Sequence, residues 1–188
     1  MADRLYLSMK LRGYNGANML RHYERMLNVF PFSRLSTARS VLRINALAES
    51  EPPVFEQSFE EPPDPAGMIA ATRDFSTADC VVQLESHWDL WQFETNWKVA
   101  PAPVTLGCVG PQFENDESED LRIDFGRDAL FLPQRDRPNH LVMARSNIRS
   151  LLHLVAQLEK TLSIETKRLW SESGDNFAER LQAALGEE

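Results

Sequence analysis

Leu5, Leu7, Met9 and Leu11 alternate with Tyr6, Ser8, Lys10 and Arg12 at the start of the chain. A period of two is the mark of a strand with one buried face. Gly13-Tyr-Asn-Gly16 breaks it. Met19, Leu20, Tyr23, Met26, Leu27 and Phe30 then recur at helical spacing, and Pro31 ends the helix by excluding the residue before it from the α region. Between Thr37 and Ala48, Leu42, Ile44 and Ala46 restore the strand period. The turn signal Glu51-Pro-Pro separates this from a short strand, Val54 to Phe59, with Phe55 and Phe59 on one face. Asp64 suits an N-cap and Pro65 the first helical position, which predicts a helix over about 65–74 buried through Met68, Ile69 and Ala71.

The richest stretch runs from Cys80 to Val109. It holds both cysteines and three of the four tryptophans, which fall within a span of ten residues. Cys80, Val82, Leu84, Trp88 and Leu90 share one parity, interrupted by Ser86. Gln83, Glu85, His87 and Asp89 share the other, which turns apolar at Trp91 and Phe93. That change predicts a switch of buried face or a bulge near residue 90. Glu94-Thr-Asn96 is the hairpin loop, and Trp97 to Val109 is the returning strand. Pro101 and Pro103 lack N–H donors and place part of it at an edge or a bend.

Leu121, Ile123 and Phe125 predict a further strand, turned by Gly126-Arg-Asp into another at Ala129–Leu132. Pro133 to Asn139 is a polar connector. The strongest helix pattern follows, through Leu141, Ala144, Ile148, Leu151, Leu152, Val155, Leu158 and Leu162. Leu169-Trp170 reads as an apolar plug before a last helix with Phe177, Leu181 and Leu185, capped by Ser173 or Asp175.

The class is therefore α+β, with an antiparallel sheet and two C-terminal helices, at about 140–161 and 175–185. Over residues 3–93 the order strand, helix, strand, strand, helix, strand is that of the ferredoxin-like βαββαβ unit. The alternative is one large curved antiparallel sheet with the long helix across its concave face. Residues 1–188 read as a single domain. The connector marks the alternative division into a sheet-rich part, 1–132, and a helical part, 138–188.

Composition changes this picture little. Apolar residues at 43% and charged residues at 26% are those of a globular protein. A chain of 188 residues buries enough surface to need no staples. Two cysteines make no disulfide framework and suit a reducing cytoplasm. The first residues lack the basic region and apolar run of a secretory signal, and no stretch approaches a membrane-spanning length.

Charge is more informative. The net charge of -8 argues against a general nucleic-acid binder. Residues 1–48 carry eight Lys and Arg against two Asp and Glu, whereas residues 49–120 carry two against sixteen. A basic first quarter can meet an acidic middle within one chain or across subunits.

Candidate chemistry is sparse. Glu85, His87 and Asp89 project from one strand face at i, i+2 and i+4, where they could bind a divalent transition ion or act as acid and base. A plain solvated face has the same pattern, and no second histidine sits at ligand spacing, so no metal is assigned. The acidic run Asn115 to Asp120 lacks calcium-loop spacing, and Gly13-x-x-Gly16 beside Arg12 lacks the glycines and lysine of a phosphate loop. Cys80 and Cys108 read as core residues, Ser171 and Ser173 as helix caps, and His22 and His140 as surface residues. No pattern calls for a cofactor.

Two features point to contact surfaces. Arg145, Arg149, His153 and Gln157 recur every four residues along the long helix and could meet an acidic surface of a second subunit. Trp91, Phe93 and Trp97 stand where both strand faces turn apolar, and such residues anchor interfaces. The C-terminal helices with Trp170, another subunit or a small ligand would cover them. The leading expectation is thus a non-catalytic, cytoplasmic interaction or structural protein that forms homo-oligomers, with no nucleic-acid or membrane partner. The alternative is a small-ligand binder or enzyme with a pocket near Trp91 and the Glu85/His87/Asp89 face.

Overall fold

A computed structural model describes residues 3–46, 48–115, 118–134, 136–172 and 177–186, without the side chains of residues 184 and 185. Seven strands, β1 (Arg4–Leu11), β2 (Ser40–Ala46), β3 (Phe55–Phe59), β4 (Cys80–Phe93), β5 (Trp97–Val109), β6 (Leu121–Arg127) and β7 (Ile164–Ser171), form one antiparallel sheet in the order β3-β2-β4-β5-β6-β1-β7. Four α-helices accompany it: α1 (Met19–Val29), α2 (Pro65–Thr72), α3 (His140–Thr161) and α4 (Phe177–Gly186). The class and the antiparallel sheet are as the pattern predicts.

The ferredoxin-like pairing is not formed. In that unit the first strand sits beside the third and fourth. Here β1 pairs with β6 and β7, and β4, β5 and β6 separate it from β2. The element order is the same, but the pairing is that of a single broad sheet. Two further expectations change. Residues 128–131 form a single 3₁₀ turn rather than a strand. Residues 164–171 are an edge strand rather than a plug: Trp170 stacks on Tyr6 of β1 with ring centroids 4.6 Å apart, and its indole N–H donates to Ser8 Oγ. The expected caps Ser173 and Asp175 and the Leu185 side chain lie outside the described residues.

One buried cluster joins the sheet to all four helices. Leu5, Leu7 and Met9 of β1, Leu42 and Ile44 of β2, and Val82, Leu84, Trp88 and Leu90 of β4 meet Met19, Tyr23 and Met26 of α1, Met68 of α2, Ile148 and Leu151 of α3 and Phe177 of α4. Tyr23 is fully buried and donates its hydroxyl to the Leu106 carbonyl of β5 at 2.8 Å, which ties α1 to the sheet. The opposite sheet face carries Tyr6, Ser8, Arg43, Glu85, Arg122 and Asp124. Gly13, at φ +68°, makes the turn out of β1. At Gly110 a Cβ would lie 2.3 Å from the Ala78 carbonyl oxygen, so only glycine lets the end of β5 close on Cys80.

The β4–β5 hairpin has unbroken register from Val81 opposite Val109 to Phe93 opposite Trp97. There is no bulge near residue 90 and no switch of face. The hairpin instead outruns its neighbours, since β2 pairs with β4 only as far as Glu85 and β6 with β5 only as far as Thr105. Pro101 and Pro103 lie past that point, where β5 needs no donors toward β6. Other groups satisfy the free side of β4. Ser33 N donates to His87 O at 2.8 Å, and Phe32 bridges Trp88. Asn147 of α3 then accepts from Trp91 N and donates to Trp91 O, both at 2.9 Å, and also donates to Leu130 O at 2.8 Å. Its carboxamide does there what a neighbouring strand would do.

Asn147→Leu keeps the volume but leaves these backbone groups without partners. It is expected to cost about 3 kcal/mol of stability, or about 10 °C in Tm for a chain of this size. Urea and thermal unfolding followed by circular dichroism would measure this.

Candidate functional site

Glu85, His87 and Asp89 share a face of β4, as their spacing predicts, but each is committed to a different partner. Glu85 is exposed and accepts from Arg43 Nη1 at 2.5 Å, while Arg43 Nε donates to Glu56 at 2.6 Å. Asp89 accepts from Ser33 Oγ at 2.5 Å and from Arg34 N at 2.9 Å, so it caps the turn that follows α1. His87 Nδ1 lies 3.3 Å from Glu61 Oε1. The three do not converge, and no group of three His, Cys, Asp or Glu among the described residues could hold a metal ion.

Glu61 was hidden in the sequence because Glu60-Glu-Pro-Pro63 reads as a turn. Its side chain is 2% exposed. Oε1 accepts from Ser40 Oγ at 2.7 Å and Ser86 Oγ at 2.9 Å, and Oε2 is buried without a partner. Just past the last β2–β4 pair, Ser40 Oγ also lies 2.9 Å from Ser86 Oγ, and both residues are buried. The signal available in the sequence was Ser86, a polar residue breaking an apolar alternation. The hydroxyls face the carboxylate, with His87 on the same oxygen, so the arrangement fastens the 60–63 segment to the sheet rather than activating a serine through histidine.

A second polar group lines a cleft of about 1020 Å³ between the end of β1 and the start of β6. Lys10, Tyr14, Glu49, Glu119, Asp120 and Arg122 lie on its walls. Glu119 is buried, accepts from Ser8 Oγ at 2.5 Å and lies 3.0 Å from Arg122 Nη1. Arg122 also reaches Glu49 at 2.9 Å. Burial alone would lower the Arg122 pKa, but Glu119 and Glu49 outweigh it and raise it. Asp120 accepts from Leu11 N at 2.7 Å, and burial raises its pKa despite that bond. The charges in this cleft therefore largely satisfy one another. Neither this cleft nor a smaller one by Arg12 and Glu159 is lined by Trp91 or by the Glu85/His87/Asp89 face.

The hairpin aromatics are half-buried. Phe93 and Trp97 pack edge to face at 5.3 Å, Arg137 stacks over Phe93 at 4.4 Å, and Trp97 Nε1 donates to the Pro138 carbonyl at 2.5 Å. Arg137 and Pro138 before α3 thus engage Phe93 and Trp97, whereas Asn147 holds the Trp91 backbone. Trp170 does not, because it lies on the far edge strand. On α3, Arg145 is partly buried and Arg149 and His153 are exposed.

The charge halves meet within the chain: Arg39 pairs with Glu60 at 2.5 Å, and Arg43 with Glu56 and Glu85. Being exposed, these pairs contribute little to stability. His22 is not a surface residue. It is 5% exposed, its Nδ1 is buried without a partner, and it lies beside Tyr14. Desolvation, then Arg21 and Arg25, lower its pKa, while Asp120 opposes them. Cys80 and Cys108 are free and buried. Burial raises both thiol pKa values, that of Cys108 to about 12.

No protein-family model, curated protein or solved structure matches this chain.

Two measurements check these environments. With its folded pKa below the unfolded one, His22 stabilises the fold above the ordinary histidine range and loses that contribution as pH falls. The stability advantage of the wild type over His22→Gln should therefore shrink from about pH 8 to about pH 5 in urea titrations. Both thiols should resist a thiol-specific reagent in the native protein and react fully in urea.

Proposed function

We propose that this chain is a non-catalytic interaction protein that assembles with copies of itself. The observation that carries this reading is the contrast between the two edges of the sheet. An open edge offers a row of unpaired backbone donors and acceptors, and proteins guard such edges with charge. Along β7 the exposed residues are Glu165, Thr166, Lys167 and Arg168. Along β3 they are Glu56, Gln57 and Ser58, between the half-buried Phe55 and Phe59. Val54 at 56% and Phe75 at 47% exposure add apolar surface beside this edge, and Phe75 packs on Phe55 with ring centroids 4.7 Å apart. The β7 edge exposes three charged residues and the β3 edge one, so β3 is the better suited to receive a strand.

The surfaces expected from sequence fit this role less well. Phe93 and Trp97 are engaged by Arg137 and Pro138. The outer face of α3 carries Arg149 with Val142 and Leu152, which are 62% and 45% exposed, but it offers no unsatisfied backbone. The free, buried thiols support a reducing cytoplasm as the setting. No helix among the described residues is long and apolar enough to cross a membrane.

Light scattering and sedimentation of the whole chain test the reading. The expected mass is twice the 21.5 kDa of one chain, falling on dilution. A mass of one chain at every concentration would overturn it.

A further inference from the structure

Resting on the self-association just proposed, we infer that two copies join β3 to β3, antiparallel, about a two-fold axis through Gln57, continuing the sheet from one copy into the other. A two-fold contact pairs a surface with itself, so residue i of one copy meets residue j of the other and j meets i. The strand Phe55-Glu-Gln-Ser-Phe59 suits that operation about its centre. Phe55 then faces Phe59 of the second copy, Glu56 faces Ser58, and Gln57 faces itself. Aromatic pairs are among the favourable cross-strand combinations, and no like charges meet.

Neighbouring registers are worse. Phe55, Gln57 and Phe59 share the face of Ile44, Leu42 and Ser40, which carries the helices, whereas Glu56 and Ser58 share the polar face of Arg43 and Val41. A slip of one residue would set the polar face of one copy level with the helix-bearing face of the other. A slip of two in one direction puts Glu56 against Glu56 of the second copy. In the other direction it puts Glu56 against Glu60. Of these registers, the one centred on Gln57 keeps the helices of both copies on one side and the carboxylates apart. Pro52-Pro53 and Pro62-Pro63 bound the segment, so the pairing cannot extend far beyond it. Phe75, already packed on Phe55, would extend the apolar strip toward Phe59 of the second copy.

Glu56, Gln57 and Ser58 are exposed, and the Arg43–Glu56 pair is a surface one that contributes little, so substitutions there burden the fold of each copy little. Directly opposed residues in an antiparallel pair have Cα atoms about 4.5–5.5 Å apart, within disulfide reach. Gln57→Cys should therefore cross-link to a covalent dimer under mild oxidation. Ser58→Cys should not, but an equimolar mixture of Glu56→Cys and Ser58→Cys chains should. Ser58→Glu sets two like-charge pairs across the axis and should weaken the dimer about tenfold, whereas Ser58→Lys should leave it intact or tighten it. If the wild type is a dimer but Gln57→Cys fails to cross-link, or if Ser58→Glu and Ser58→Lys behave alike, the β3 register is overturned and self-association stands by another surface. If the wild type is monomeric, both readings fall.

Discussion

Between Ser86 and Phe93, β4 has a strand on one side only. Along these eight residues of extended backbone, every second residue turns its N–H and C=O toward the side that β2, which stops pairing at Glu85, cannot reach. Buried or half-buried backbone groups left without partners cost as much as lost hydrogen bonds, and much of the remaining architecture follows from meeting that cost. The chain leaving α1 supplies Phe32 and Ser33, and α3 supplies the Asn147 carboxamide. The placements of α3 and of the 3₁₀ turn, whose Leu130 carbonyl Asn147 also binds, are linked to β4 through this one side chain.

Trp88 marks the same junction on the apolar side. Its ring lies 5.7 Å from those of Phe30 and Phe125 and 6.3 Å from Phe131. The end of α1, the end of β6 and the 3₁₀ turn therefore converge on the part of the hairpin where strand pairing has run out. Packing and backbone satisfaction act there on the same few residues.

The polar groups that first suggest chemistry serve assembly of the monomer. Glu61 ties the 60–63 segment to Ser40, Ser86 and His87, Asp89 caps the turn after α1, and Glu119, Arg122 and Glu49 neutralise one another along the cleft wall. At the sheet's two ends β3 and β7 are paired on one side only, and the β3 end lies beside the exposed Val54 and Phe75.

Most elements were legible in sequence because each depends on local pattern. Period two in β1, β2, β4 and β5 and the apolar stripes of α1 and α3 identify them. So do Asp64 and Pro65, where the Asp64 carboxylate accepts from Gly67 N as expected of an N-cap. Residues 164–171 were missed because an edge strand buries little and Ile-Glu-Thr-Lys-Arg lacks a clear apolar alternation. Residues 128–131 were misread because a buried 3₁₀ turn and a short strand offer the same apolar run. Local pattern does not encode which strands become neighbours, so β1 could be placed beside β6 and β7 only by the tertiary structure. The same holds for Asn147, Glu61 and His22. Each is a polar residue whose role depends on groups far away in sequence, and its burial is decided when the sheet, the helices and the connector close together.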